Sequence, residues 1–388
     1  MLKVLILVEH YLPGYKSGGP ARSIAQIADR LGEEIAFSIL TTDRDIGDTA
    51  AYPDLQRDLW LEDGNTAIRY IPPASWGIRT LAAILRERPH DVLYLNSFLS
   101  PRTSIRPMLA RALGLIPRTP VIIAPRGEFS PGALSIKPMK KAAFLHAARL
   151  TGLYRDVTWQ ASNAMEANDI RTRMGRQAQH VYMASDLSAP VAPTPPAFRP
   201  RPVGAPLRLL YLSRITPKKN LSFVLETLAG VDIPVDLTIV GPEEDAEYSA
   251  RCRRLAAALP PHVSVTWTGA VPHDQVAAQM ARHDLFFLPT WGENYGHAIF
   301  EAFSAGVPAL LSDTTPWRDL RAAGIGYDLP LTDMDGFRAA IRFEAALTAE
   351  EAGQRRARVH AFARAIDADG AHVTANRDLF LRALRPQQ

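Results

Sequence analysis

Trp291 to Ala305, WGENYGHAIFEAFSA, is the stretch on which the reading of this chain turns. It lies between two apolar runs, Asp284 to Pro289 (DLFFLP) and Pro308 to Ser312 (PALLS), and so reads as the loop and helix of a strand–helix–strand unit. Gly292 and Gly296 allow a tight backbone approach, and Gly306 followed by Pro308 stops the helix. Ala298, Ile299, Ala302, Phe303 and Ala305 fall on one arc of a helical wheel, with Glu301 at the edge of that arc, beside packed surface.

Glu293 and Glu301 are separated by seven residues. Eight residues of helix set two carboxylates about 12 Å apart along the axis, roughly the span from the sugar to the ribose of a nucleotide sugar. The helix N-terminus between them, near Gly296, His297 and Ala298, offers N–H groups and the positive end of a dipole to an anion such as a bridging diphosphate. The run E-N-Y-G-H-A-I-F-E-A, after a strand ending in Pro and before A-G-V-P, resembles the donor-site signature of family-four glycosyltransferases of the GT-B fold. Taken without that resemblance, the two glutamates read as a loop carboxylate in water and a solvated helix residue.

A second signal precedes the first. Ser213-Arg214-Ile-Thr-Pro-Lys218-Lys219-Asn220 stands where a strand ends and a helix begins. A diphosphate leaving group gains negative charge as the sugar bond breaks, and two cations beside it lower that barrier; Arg supplies forked donors and Lys a point charge. The stretch is similar to the family's arginine followed five positions later by lysine, which falls on Arg214 and Lys219. Asn220 stands where the family often has Gly.

The resemblance implies transfer of a sugar from a nucleotide diphosphate sugar to an acceptor hydroxyl, with retained configuration, no metal and no cofactor beyond the nucleotide sugar as co-substrate. It implies that Glu293 with Arg214 and Lys219 carries the chemistry. The donor would be held by these three with Gly269, Asn294, Tyr295, Gly296, His297, Ala298 and Glu301, the base lying near Thr268 to Val271 and Ile215. Gly18 and Gly19, after the first strand, match the family's glycine loop. Arg126-Gly127-Glu128 lies where family members often carry a His or Asp near the acceptor, so Arg126 and Glu128 are the acceptor-side candidates; His10 is a weaker one.

The whole chain suits two domains. Its 388 residues allow two cores, and 47% hydrophobic with 22% charged residues is a globular composition. A single cysteine, Cys252, excludes an internal disulfide. A net charge of +4 suits acidic small molecules or an anionic membrane face, and no nucleic-acid-binding motif or zinc spacing is visible. Strands expected at Lys3 to Glu9, Ile35 to Leu40, Ala67 to Ile71, Val92 to Asn96, Val121 to Ala124, Val157 to Ala161 and His180 to Ala184 alternate with helical stretches, and the alternation predicts a doubly wound parallel sheet.

Seven prolines between Pro190 and Pro206 predict a linker, since neither a helix nor a central strand accepts them. Beyond it strands are expected at Leu207 to Ser213, Val235 to Val240, Val263 to Trp267, Leu285 to Pro289 and Ala309 to Ser312. The organisation expected is therefore two doubly wound α/β halves, and the resemblance implies that they are the acceptor-side and nucleotide-sugar-binding domains of the GT-B fold. Residues 1–189 form an acceptor-side Rossmann-like domain joined by a C-terminal helix over 371–388, residues 190–206 a linker, and residues 207–370 a nucleotide-sugar-binding Rossmann-like domain.

Two further patterns have competing readings. Asp43-Arg44-Asp45 and Asp333-Met334-Asp335 have the Asp-x-Asp form that holds a divalent metal in other glycosyltransferases, but the pattern is short and arises by chance; the expectation is no metal. Lys137, Lys140, Lys141, Arg149 and Arg155, with Phe144, Leu145 and Leu150 among them, read either as a solvated basic face or as a dock for an anionic membrane carrying a lipid-linked acceptor. The first apolar run, MLKVLILVEHY, reads as a strand and not as a signal peptide, so the expected place is cytoplasmic, with a peripheral position on the inner membrane face as the second reading. The alternatives to sugar transfer are a nucleotide-sugar epimerase or hydrolase on the same scaffold, and a non-catalytic nucleotide-sugar-binding protein.

Overall fold

Continuous apolar runs flanked by helices build sheets covered on both faces, and the chain does this twice. The computed structural model describes residues 1–16, 18–134, 137–202 and 204–384. Val203 of the expected linker and residues 385–388 of the expected C-terminal helix lie outside the described residues. Two compact units result: Met1–Ala189 with Gly370–Gln388, and Pro190–Asp369.

The first unit contains β1 (Leu2–Leu7), β2 (Ile35–Thr42), β3 (Trp60–Asp63), β4 (Thr66–Ile71), β5 (Val92–Asn96), β6 (Val121–Ala124), β7 (Val157–Ala161) and β8 (His180–Met183). They lie in the order β3-β4-β2-β1-β5-β6-β7-β8. The sheet is parallel except at one edge, where β3 runs antiparallel to β4, pairing Trp60 with Arg69. The doubly wound parallel sheet expected from the alternation is present, with one antiparallel edge strand added: Gly64-Asn65 between Asp63 and Thr66 closes a tight hairpin instead of a helical crossover. Alternate residues of β1 serve opposite cores. Val4 and Ile6 pack with Ile24 and Ile27 of the helix Gly19–Leu31, whereas Leu5 and Leu7 pack with Leu81 and Leu85 of the helix Ile78–Glu87.

The helix Ala371–Ala383 belongs to this first unit: Leu379, Phe380 and Ala383 are buried in its core, and the Phe380 ring lies 5.8 Å from both Phe37 and Tyr94.

The second unit is parallel throughout: β9 (Leu207–Leu212), β10 (Val235–Val240), β11 (Val263–Gly269), β12 (Leu285–Leu288), β13 (Ala309–Ser312) and β14 (Gly326–Leu329), in the order β11-β10-β9-β12-β13-β14. Leu209 in the middle of β9 pairs with Leu237 on one side and Leu285 on the other. The strand order reverses between β9 and β12, so the loops leaving their carboxyl ends diverge, and open α/β sheets take ligands at such a point.

The proline-rich segment is not a free tether. Val191 N–H donates to Asp367 (2.9 Å), His360 pairs with the Ala192 carbonyl (3.0 Å), and both partners sit on the helix Ala349–Asp369. Prolines lack N–H groups but keep their carbonyls and their apolar rings, so such a segment packs well along a helix while remaining irregular.

Candidate functional site

The Arg214–Asn220 and Thr290–Gly296 loops leave neighbouring strands, and backbone and hydroxyl groups sew them together. The Lys218 carbonyl accepts from Trp291 N–H (2.9 Å) and from the Thr290 hydroxyl (3.1 Å). Asn220 donates its side-chain amide to the Pro289 carbonyl at 3.0 Å and is buried there. Its φ of 58° is left-handed, a conformation open to glycine and then most readily to asparagine, which accounts for Asn at a position the family often gives to Gly. The Thr314 hydroxyl, from the loop after β13, ties the Thr290 carbonyl from the other side (2.7 Å).

These constraints set two of the candidate residues face to face. Lys219 Nζ and Glu293 Oε1 form an ion pair and hydrogen bond, with side chains only 14% and 11% exposed. Desolvation makes such a pair costly unless it is well satisfied, so its presence at a loop crossing is a specific arrangement and not a solvated contact.

The Tyr295 carbonyl accepts from the Trp317 indole N–H at 2.6 Å, and Trp317 stacks on Phe300 with ring centroids 5.9 Å apart. Trp317 thus anchors the turn from which the helix His297–Ser304 starts. Gly296 is the N-cap of that helix, at φ 82°, and a Cβ there would meet Ile299 Cδ1 at 2.7 Å. It has no side chain to cap the helix, and the positive end of the helix dipole begins four residues after Glu293 in the chain.

Five residues beyond Gly296, Glu301 is one-fifth exposed, with the His273 imidazole 3.8 Å from its Oε1. Gly269 ends β11 at φ 74°, and its carbonyl accepts from Gly241 N–H (2.9 Å). Asn294 lies in the Gly292–Gly296 loop, His297 has its ring 5.2 Å from Tyr295, Ala298 packs against the core, and Ile215 is itself a core residue. Arg214 does not join Lys219 and Glu293: its Nη1 is held by both oxygens of Glu244, at 3.1 and 3.0 Å. Glu244, His273 and the Thr290–Thr314 tie carry no local signature in the sequence, because each acts through a contact between loops far apart along the chain.

In the first unit Gly18, at φ 67°, and Gly19 begin the helix Gly19–Leu31. Arg126 lies at φ 57° with its guanidinium committed to Asn96 (2.8 Å), the Tyr94 hydroxyl (2.8 Å) and the Asp186 carboxylate. Glu128 accepts from the Ser97 hydroxyl (2.6 Å) and from the N–H groups of Phe98 and Leu99 (2.6 and 2.8 Å), and burial pushes its carboxyl above the ordinary range. Both therefore brace the chain after β5 and β6. His10 Nδ1 faces the Arg44 carbonyl at 3.2 Å.

The Asp-x-Asp pairs are likewise engaged. Asp43 holds Arg44 (2.8 Å), Asp45 accepts from the N–H groups of Tyr15 and Lys16, and Asp333 caps the helix Met334–Ala346 through Gly336 N–H. Along the helix Pro138–Thr151, Lys137 and Lys140 are exposed while Lys141 donates to the Ala133 carbonyl (2.6 Å). Phe144 and Leu145 turn inward against the core, whereas Met139 and Leu150 are exposed beside the basic residues. Among the described residues no helix is long and apolar enough to cross a membrane.

This geometry meets known proteins at two levels. Residues 198–352 match the family described as glycosyl transferases group 1. The crystal structure of Anabaena Alr3699/HepE in complex with UDP and glucose superposes with a TM-score of 0.69 over 98% of both chains, at 16% identity, which establishes the shared fold. Over 131 residues the chain is 32% identical to a phosphatidyl-myo-inositol mannosyltransferase of Mycobacterium leprae, covering 32% of this chain and 33% of that protein. Over 153 residues it is 31% identical to an exopolysaccharide phosphotransferase of Streptomyces coelicolor, covering 38% and 16%. The similarity thus spans a third or less of each curated relative. The fold is GT-B, and the match to glycosyl transferases group 1 falls within the second unit.

Proposed function

We propose that this protein is a retaining, metal-independent glycosyltransferase that moves a sugar from a nucleotide diphosphate sugar to an acceptor hydroxyl. The observation that carries the reading is the Lys219–Glu293 ion pair, held where β9 and β12 diverge and next to the side-chain-free start of the helix His297–Ser304. In this reading Glu293 holds the donor sugar and Glu301 the ribose. Lys219 and Arg214 hold the diphosphate, the backbone at Gly296 to Ala298 assists, and Gly269 borders the base. As the sugar–oxygen bond breaks, charge accumulates on the diphosphate, and the two cations and the helix end stabilise it. The departing phosphate oxygen takes the proton of the acceptor hydroxyl that attacks on the same face, which retains the configuration and needs no base from the protein. In the first unit Arg126 and Glu128 serve the acceptor by holding the strand ends, not by touching it.

The donor class is supported by the UDP and glucose in the Anabaena structure and by the mannosyltransferase named among the relatives. The phosphatidyl-myo-inositol mannosyltransferase and the exopolysaccharide phosphotransferase among the relatives support an acceptor that is a surface polysaccharide or a glycolipid, met at an anionic membrane face through Lys137, Lys140 and Met139. Co-sedimentation with vesicles that is indifferent to anionic lipid sinks that membrane step. The reaction itself is tested with Arg214→Ala and Glu301→Ala under excess chelator. We expect turnover by the unaltered protein to persist, Arg214→Ala to lower kcat on the order of 100-fold, and Glu301→Ala chiefly to weaken nucleotide binding. Unchanged kinetics in both variants, or turnover restored only by manganese, overturns the proposal. Free sugar or an epimer formed from donor alone points instead to the hydrolase or epimerase.

A further inference from the structure

The loops after β9 and β10 touch because one residue between them has no side chain. Gly241, at φ 144°, is so close to the other loop that a Cβ would lie 1.9 Å from the Ser213 carbonyl oxygen. Ile215 N–H then donates to the Pro242 carbonyl (2.9 Å), and Ile215 and Glu243 form a parallel bridge. The next residue, Glu244, is thereby laid alongside Arg214, and Asp245 immediately caps the helix Ala246–Ala257 through Tyr248 N–H (2.9 Å), which fixes the loop from its far end. The result is a carboxylate with both oxygens on one guanidinium nitrogen.

The two cations of the site are therefore held differently. Lys219 and Glu293 pair at 14% and 11% exposure, whereas Arg214 and Glu244 are 42% and 28% exposed. An exposed pair of this kind is weakly held, so a dianionic ligand displaces the carboxylate with little penalty. We infer that Glu244 is the resting counter-ion of Arg214: it occupies the guanidinium until a diphosphate arrives, and it competes for the guanidinium again when the nucleoside diphosphate has to leave. Glu244 is a positioning residue, acting through Arg214, and it sets product affinity without touching the reacting atoms. This rests on the donor-site reading given above.

The test is a titration of the full chain with UDP, GDP and ADP, and with uridine, guanosine and adenosine as phosphate-free controls. Unaltered protein is compared with Glu244→Gln, Arg214→Ala and the double variant. We expect Glu244→Gln to tighten whichever nucleoside diphosphate binds by about three- to fivefold, the range open to an exposed pair, and to leave the nucleoside unchanged. In the Arg214→Ala background the same substitution has no effect, because the partner it releases is gone. Tightening that persists without Arg214, or no tightening at all, overturns the role of Glu244 alone. Failure of the unaltered protein to bind any of the three diphosphates overturns the donor-site reading and this inference with it.

Discussion

At the scale of single residues, Asn220 shows how one side chain answers two demands. Its backbone must turn left-handed between the short helical turn Pro217–Lys219 and the helix Leu221–Leu228, and its amide must satisfy the buried Pro289 carbonyl. Asn220→Gly keeps the turn and loses the hydrogen bond, for about 1–2 kcal/mol. Asn220→Ala loses both, for about 2–4 kcal/mol. Urea unfolding should rank Ala below Gly, and the reverse order would mean that backbone conformation is not the constraint. The same consideration separates the glutamates. That Glu293 and Glu301 flank the start of one helix was readable from the loop glycines and the apolar arc, since both signals are local. That Lys219 and not Arg214 closes on Glu293 was not, because it depends on which of two cations a loop crossing delivers.

Among elements, the informative contact joins the helix Met334–Ala346, the strand β14 and the helix Ala349–Asp369. Glu344 Oε1 accepts from the Tyr327 hydroxyl (2.9 Å) and from Arg355 Nη2 (2.8 Å). Burial pushes the Glu344 carboxyl up, and Arg355 offsets that only in part. The folded state thus holds this proton more tightly than the unfolded chain. Its contribution to stability is complete below the ordinary glutamate range and is lost as pH rises through the folded-state value. Glu344→Gln keeps an oxygen for both donors and removes the titration. Melting temperatures from about pH 4 to about pH 7 should therefore show the variant gaining on the unaltered protein as pH rises; parallel curves would refute the assignment. Strand positions were legible here from apolar runs, and Val92 to Asn96, Val121 to Ala124 and Val235 to Val240 stand where the runs place them. The hairpin strand β3 was not, since Trp60 to Asp63 carries only two apolar residues and is held by its pairing with β4.

For the whole molecule, the chain's last helix is part of its first unit. Phe380, between Phe37 and Tyr94, fills a space that the first 189 residues leave open. Phe380→Ala should cost the first unit about 3–5 kcal/mol. Hydrogen exchange should show the loss in β1, β2 and β5; protection unchanged in those strands would show that the helix is only an appendage. Sequence alone determined the two-unit α/β architecture, the boundary near Pro190 and the order of the motifs, because apolar period, glycine and proline act over a few residues. Only the tertiary structure decided which charges meet: Lys219 with Glu293, Arg214 with Glu244, Arg126 with Asp186. Pairing of that kind is set by where strands end and how closely loops approach, as at Gly241, and that distance is a property of packing between segments and not of either segment's own residues.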